Sequence, residues 1–123
     1  MKRTQIKRKT RIRQVSPKRT AYRASDEGQA ALRYMRAVKQ LPCCACGSPP
    51  PNDAHHCIHD RYGTRKASDF DTVPLCRSCH QGPHGIHAGK ASWRERHGPD
   101  HGYIPQTRGQ VFVMLGVDLV PTS

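Results

Sequence analysis

The sequence predicts a small α+β domain held together by zinc, with a helix ahead of it and a basic arm at its N-terminus. Three observations carry this. Two Cys-x-x-Cys turns, Cys43/Cys46 and Cys76/Cys79, bracket a segment of two short strand-like runs. The pattern turns helical directly after Cys76. Upstream, Ser25-Asp26-Glu27 opens an apolar stripe of three- and four-residue steps, the mark of an amphipathic helix.

Composition sets the need for a metal. The chain has 123 residues, room for one domain, and only 35% are apolar against 24% charged, with 10 Gly and 10 Pro. So thin a core usually needs a metal or disulfides to hold it. No apolar run reaches the roughly 18 residues of a membrane span. The basic N-terminus is not followed by an apolar segment, so it does not read as a signal peptide. The expected location is the cytoplasm, where thiols stay reduced and the 6 cysteines serve as metal ligands rather than disulfides.

The formal net charge of +12 is concentrated at the start. Residues 1–24 hold Lys2, Arg3, Lys7, Arg8, Lys9, Arg11, Arg13, Lys18, Arg19 and Arg23 and no acid. Such arms neutralise phosphates and release counterions, giving salt-sensitive, sequence-independent binding to nucleic acid. Lys7, Arg8, Lys9, Arg11, Arg13, Lys18 and Arg19 are the candidate contacts. Ile6, Ile12 and Val15 make no apolar face, which argues against a membrane-surface role. With no periodic pattern and a Ser16-Pro17 step, this arm is expected to be disordered or extended through Ala24. The division is therefore an arm, 1–24, and a domain, 25–123, with its core motif at 41–97.

The first helix should begin at Ser25, whose hydroxyl can cap the first turn, with Asp26 and Glu27 at the positive end of the dipole. Its apolar stripe is Ala31, Leu32, Met35 and Val38, and Pro42 ends it near Gln40. In each Cys-x-x-Cys a two-residue gap lets a tight turn aim both thiolates at one ion, and two such turns make a tetrahedral four-cysteine site. Cys44 competes with Cys43, and Cys57 is a possible substitute; Cys43 is chosen because its spacing to Cys46 matches the second pair. No thioredoxin-like βαβ pattern supports a redox reading.

Ala54–His59 reads as a strand. The basic loop of residues 61–68 offers Arg61, Arg65 and Lys66 to phosphate, or merely to solvent. A second strand lies around Thr72-Val73. The helix after Cys76 is interrupted at Gly82-Pro83, and Lys90–His97 forms another, anchored by Trp93 and ended by Gly98-Pro99. Near the C-terminus, Thr107-Arg108-Gly109-Gln110 is spaced like a capping box before 111–115, with Gly116 as the stop. The β-branched residues there favour a strand, but a short helix is the preferred reading.

Histidines crowd the same block: His55, His56, His80, His84 and His87 lie around the two cysteine turns. Neighbours on a strand face opposite ways, so His55 and His56 serve one site only if the strand bends or ends there. His80 and His84 are spaced to share one helical face.

This order of residues resembles the HNH, or ββα-metal, endonucleases over residues 41–97. The run Leu41-Pro42-Cys43-x-x-Cys46, Ala54-His55-His56, Pro74-Leu75-Cys76-Arg77 behind a basic arm resembles the small phage recombination-enhancement nucleases and related prophage HNH proteins. The resemblance implies a ββα-metal fold and metal-dependent hydrolysis of DNA with low sequence specificity. It implies His55 as a ligand of the catalytic ion and His56 as general base. It implies Asp71, standing where the family has Asn, as the second catalytic residue, and His80 and His84 complete the ligand set. Because Pro83 lies inside the His80-to-His84 turn, His87 is the rival last ligand. Cys43, Cys46, Cys76 and Cys79 match a structural Zn²⁺ site, while the catalytic divalent ion would be Mg²⁺, Mn²⁺, Ni²⁺ or Zn²⁺. The implied partners are DNA and, as a candidate, a recombination protein; a phage-encoded chain would work in the bacterial host cytoplasm. Two rival functions remain: a zinc-stabilised nucleic-acid-binding module without catalysis, and a nuclease active only with a phage or host recombination partner.

Overall fold

The computed structural model describes residues 16–60 and 68–121. Helix α1 spans Pro17–Ala24, so the arm expected to be disordered through Ala24 is helical over its last third. The Ser16-Pro17 step that reads as a breaker is a helix start: the Ser16 side chain accepts from the Arg19 amide, and Pro17 occupies a first-turn position where no amide is needed. Helix α2, Asp26–Val38, begins as expected, with Ser25 as N-cap accepting from the Gly28 amide. The Ser25 amide also donates to Ala21 and Tyr22, so one residue closes α1 and opens α2. The hairpin requires glycine at position 28, where a Cβ would overlap the Tyr22 carbonyl.

The buried face of α2 differs from the expected stripe. It is Ala31, Tyr34, Ala37 and Val38, while Leu32 is exposed and Met35 half-buried. Tyr34 draws the face round by packing on Phe70, the ring centroids 5.5 Å apart.

Strands β1, Asp53–His56, and β2, Thr72–Leu75, form an antiparallel pair with His55 opposite Val73 and His56 opposite Thr72. The first strand is shorter than expected because the Ile58 and His59 amides donate to the Asp100 carboxylate rather than to a ladder. A 3₁₀ turn, Asp69–Asp71, leads into β2. Helix α3, Arg77–Gln81, starts at Cys76 and stops at Gly82. Helix α4, Lys90–His97, buries Trp93 completely and ends at Gly98, whose φ of 79° suits glycine, as the sequence indicates. Helix α5, Ile104–Leu115, bears out a helix over a strand, with Gly116 in the left-handed cap position. It begins earlier than the supposed capping box, however. A 3₁₀ turn, Asp100–Tyr103, feeds it, Pro105 sits in its first turn, and Thr107 lies inside it with its hydroxyl donating to the Tyr103 carbonyl.

The two faces of the sheet meet two cores. Ala54 lies against a cluster of α2 and α5 residues with Phe70 and Leu41. Val73 and Leu75, on the other face, join Cys43, Cys57, Ile86 and Trp93. The sheet therefore separates the cysteine side from the α1–α2 side. No helix among the described residues is long and apolar enough to cross a membrane.

Candidate metal centres

Cys43, Cys46, Cys76 and Cys79 converge, all four sulfur atoms lying within 4.8 Å of one another. The Cys46 and Cys76 sulfurs are 3.6 Å apart. A tetrahedron built on Zn–S bonds of about 2.3 Å has edges of about 3.8 Å, so the spacing fits zinc. Local backbone makes both turns. Gly47, at φ 78°, lets its amide reach the Cys43 carbonyl, and the Cys79 amide donates to the Cys76 sulfur. The Ser48 hydroxyl and amide, followed by Cys76 and Cys43, hydrogen-bond Cys46 and lower its thiol pKa to about 6. Burial raises Cys43 and Cys79, so an ion must displace their protons. Cys44 and Cys57 stay outside the cluster; burial raises both, Cys44 to about 12, as befits thiols packed in a core.

The second cluster is His55, His80 and His87, each offering a ring nitrogen within 4.8 Å of the others. The Nε2 atoms of His80 and His87 are 3.0 Å apart. His87, not His84, joins His55 and His80. The reason is that α3 stops at Gly82, which takes His84 off the helix. The Ile86 amide then donates to Cys79 and the His87 amide to His80, folding His87 back beside His80. His84 is exposed, and its carbonyl accepts from Arg96.

Two of these imidazoles are held from behind by carboxylates. His55 Nε2 meets Asp100 Oδ2 at 3.0 Å, leaving Nδ1 as the nitrogen available to an ion. His80 Nδ1 meets Asp53 Oδ2 at 3.0 Å, leaving Nε2. A carboxylate on the remote nitrogen fixes the ring and raises its basicity, the usual support of a metal-bound histidine. Burial, ahead of neighbouring charges, lowers the pKa of both His55 and His87, which keeps their lone pairs free near neutral pH. Asp100 is fully buried. Burial pushes its carboxyl up, but hydrogen bonds from His55 and the Ile58 amide outweigh that and bring it below the usual range.

His56 points the other way. The pleat sends it to the face shared with Ala54, where its Nε2 meets Asp69 Oδ1 at 2.7 Å. It lines a groove of about 670 Å³ with Arg19, Tyr22 and Arg23 of α1, Leu32 and Met35 of α2, and Asp69. Asp71 is not the hydrogen-bond partner of His56. Its carboxylate is paired with Arg108 of α5, and its carbonyl accepts from Cys57. Sequence reasoning thus missed three carboxylates. Asp53 was findable, two residues before His55 and so on the same strand face. Asp69 and Asp100 arrive by long-range folding and leave no local signal. Of the basic candidates, Lys18 and Arg19 lie exposed on α1. Lys7, Arg8, Lys9, Arg11, Arg13, Arg61, Arg65 and Lys66 fall outside the described residues.

These features define a small α+β domain with a four-cysteine cluster suited to zinc and a separate three-histidine cluster. The chain belongs to the family described as "Protein of unknown function (DUF968)", which it matches over residues 4–112. It is also 37% identical over 68 residues to "Uncharacterized protein YdfU" of Escherichia coli (strain K12), a match that spans 54% of this chain and 18% of that relative. No solved structure matches the chain.

Proposed function

We propose that the chain is a metal-dependent DNA endonuclease of the ββα-metal (HNH) type with a structural zinc. The observation that carries the reading is the carboxylate-backed cluster of His55, His80 and His87, built on two antiparallel strands and the helix that follows them. Four thiolates close a zinc site and leave no position for substrate, whereas three imidazoles leave several. A divalent ion held there (Mg²⁺, Mn²⁺, Ni²⁺ or Zn²⁺) would supply a Lewis acid at the leaving 3′ oxygen.

His56 acts as the general base. Asp69 accepts its Nε2 proton, which leaves the Nδ1 lone pair to take a proton from water. A positioned imidazole contributes about 10²–10⁴-fold. His55 and His56 leave β1 on opposite faces at its last two residues, so the scissile phosphate lies across the end of the strand to meet both. In place of the catalytic role expected of it, Asp71 ties the turn before β2 to α5 through Arg108. DNA is the substrate, drawn by the basic arm, and a recombination protein is the candidate partner. The chain works in the cytoplasm.

The test is conversion of supercoiled plasmid by wild type, His56→Ala and His87→Ala, each with Mg²⁺, Mn²⁺, Ni²⁺ or no added ion. Metal-dependent nicking that both variants lose is expected. A wild type that shifts plasmid on a gel but cuts with no ion, alone or with a recombination protein, would leave a binding module instead.

A further inference from the structure

The groove beside His56 has a lining that mixes cations with large apolar side chains. Its lining includes the cations Arg19 and Arg23 and the paired His56 and Asp69. The same lining includes the large apolar side chains of Tyr22, Leu32 and Met35. Tyr22 and Leu32 are 37% and 38% exposed, large apolar side chains spent on the groove instead of the core. Phosphate contacts alone need cations and polar donors and have no use for such a surface. A base has a π-face that does.

The volume of about 670 Å³ suits one nucleotide. Gly28 lets α1 close on α2, and the Gln29 side-chain amide donates to the Arg23 carbonyl, which ties the backbone of α1 beside the groove to α2. Among the described residues, Asp69 is the one acid in the lining, and its charge is shared with His56 and with the Tyr22 hydroxyl at 3.4 Å.

We infer that this groove receives a single unpaired nucleotide, its base against Tyr22, Leu32 and Met35 and its phosphate at Arg19 and Arg23. Building on the nuclease reading, this makes single-stranded or locally unpaired DNA the substrate class. Duplex DNA, whose bases are stacked away, cannot cover these apolar side chains.

The test is fluorescence anisotropy of the full zinc-loaded chain with a labelled phosphorothioate 12-mer, single-stranded or annealed to its complement. Single strands should bind at least about 10-fold more tightly than duplex. Stacking one base is worth about 5- to 150-fold, so Tyr22→Ala should lose affinity for single strands on that scale and leave duplex affinity alone. Tyr22→Phe, which keeps the ring and loses the Asp69 contact, should bind as wild type. Leu32→Ala, at an exposed position that does not threaten the fold, should weaken single-strand binding too. Equal affinity of Tyr22→Ala and wild type for single strands, or a preference for duplex, overturns the inference. A protein that cuts plasmid without depending on Tyr22 refutes the groove and keeps the nuclease. One that cuts with no ion yet shows the Tyr22 dependence refutes the nuclease and keeps the groove.

Discussion

Replacing Asp100 should damage this domain more than any surface change. Its carboxylate accepts from the Ile58 amide at 2.7 Å, from His55 Nε2 at 3.0 Å and from the His59 amide at 3.3 Å, with no exposure to water. Asp100→Ala strands all three donors. A buried donor left without an acceptor costs about 1–3 kcal/mol, and the longest of these bonds counts least, so the loss is about 3–6 kcal/mol. Asp100→Asn keeps one carbonyl oxygen in place and should lose about half of that. The probe is built in: Trp93, the chain's 1 tryptophan, is fully buried beside His59 and Tyr103 and will report unfolding by fluorescence. With zinc held constant and a urea slope of about 1–3 kcal/mol per molar, the alanine midpoint should fall by about 2 M. His55 also loses its support, so metal affinity of the histidine cluster should drop about 10- to 100-fold. An alanine variant within about 1 kcal/mol of wild type would refute the reasoning that this carboxylate organises both the loop after β1 and the first histidine.

Three further outcomes follow from the same geometry. His87→Ala should abolish binding of a second equivalent of Ni²⁺ or Zn²⁺ in titration calorimetry, while His84→Ala leaves the stoichiometry unchanged; the reverse result would restore His84 as the ligand. Zinc chelation or Cys76→Ser should collapse residues 41–97, seen as loss of dispersed amide signals, because ion affinity in such a site is folding energy; retained dispersion would contradict a structural zinc. The Asp60 carboxyl, hydrogen-bonded by Arg94 and His101, should titrate at about 2 by NMR and return toward its ordinary value in Arg94→Gln. Its pKa is depressed in the fold, so its contribution is present above about pH 4 and fades as pH falls toward 2; an unshifted titration would remove the contact.

The parts of the fold that sequence reveals are those set by neighbours in the chain. The two cysteine turns, the cap at Ser25, Trp93 in its helix and the stop at Gly116 all rest on spacings of a few residues. The parts it concealed depend on distant groups. The sequence offers both His84 and His87 and favours His84; His87 lies with His55 and His80 because two amides bond back to Cys79 and His80 once α3 has ended. Asp69 meets His56, while Asp71 pairs with Arg108, which α5 brings from 37 residues away. Ser16-Pro17 misled for a different reason: the same pair ends one structure and begins another, and only the residues after it decide.

Helix α3 is five residues long, yet it serves both clusters. Cys76 is its cap, Cys79 faces the other thiols, and the next residue, His80, faces the other imidazoles. The carbonyls of that same pair hold the strand of chain that delivers His87. Fixing the four sulfurs therefore fixes two of the three histidines through a single turn of backbone. Were both clusters to take ions, this shared turn would link them thermodynamically, and by reciprocity each would make the other easier to fill. In that case a chain without its first ion would have its three histidines in sequence but not in place.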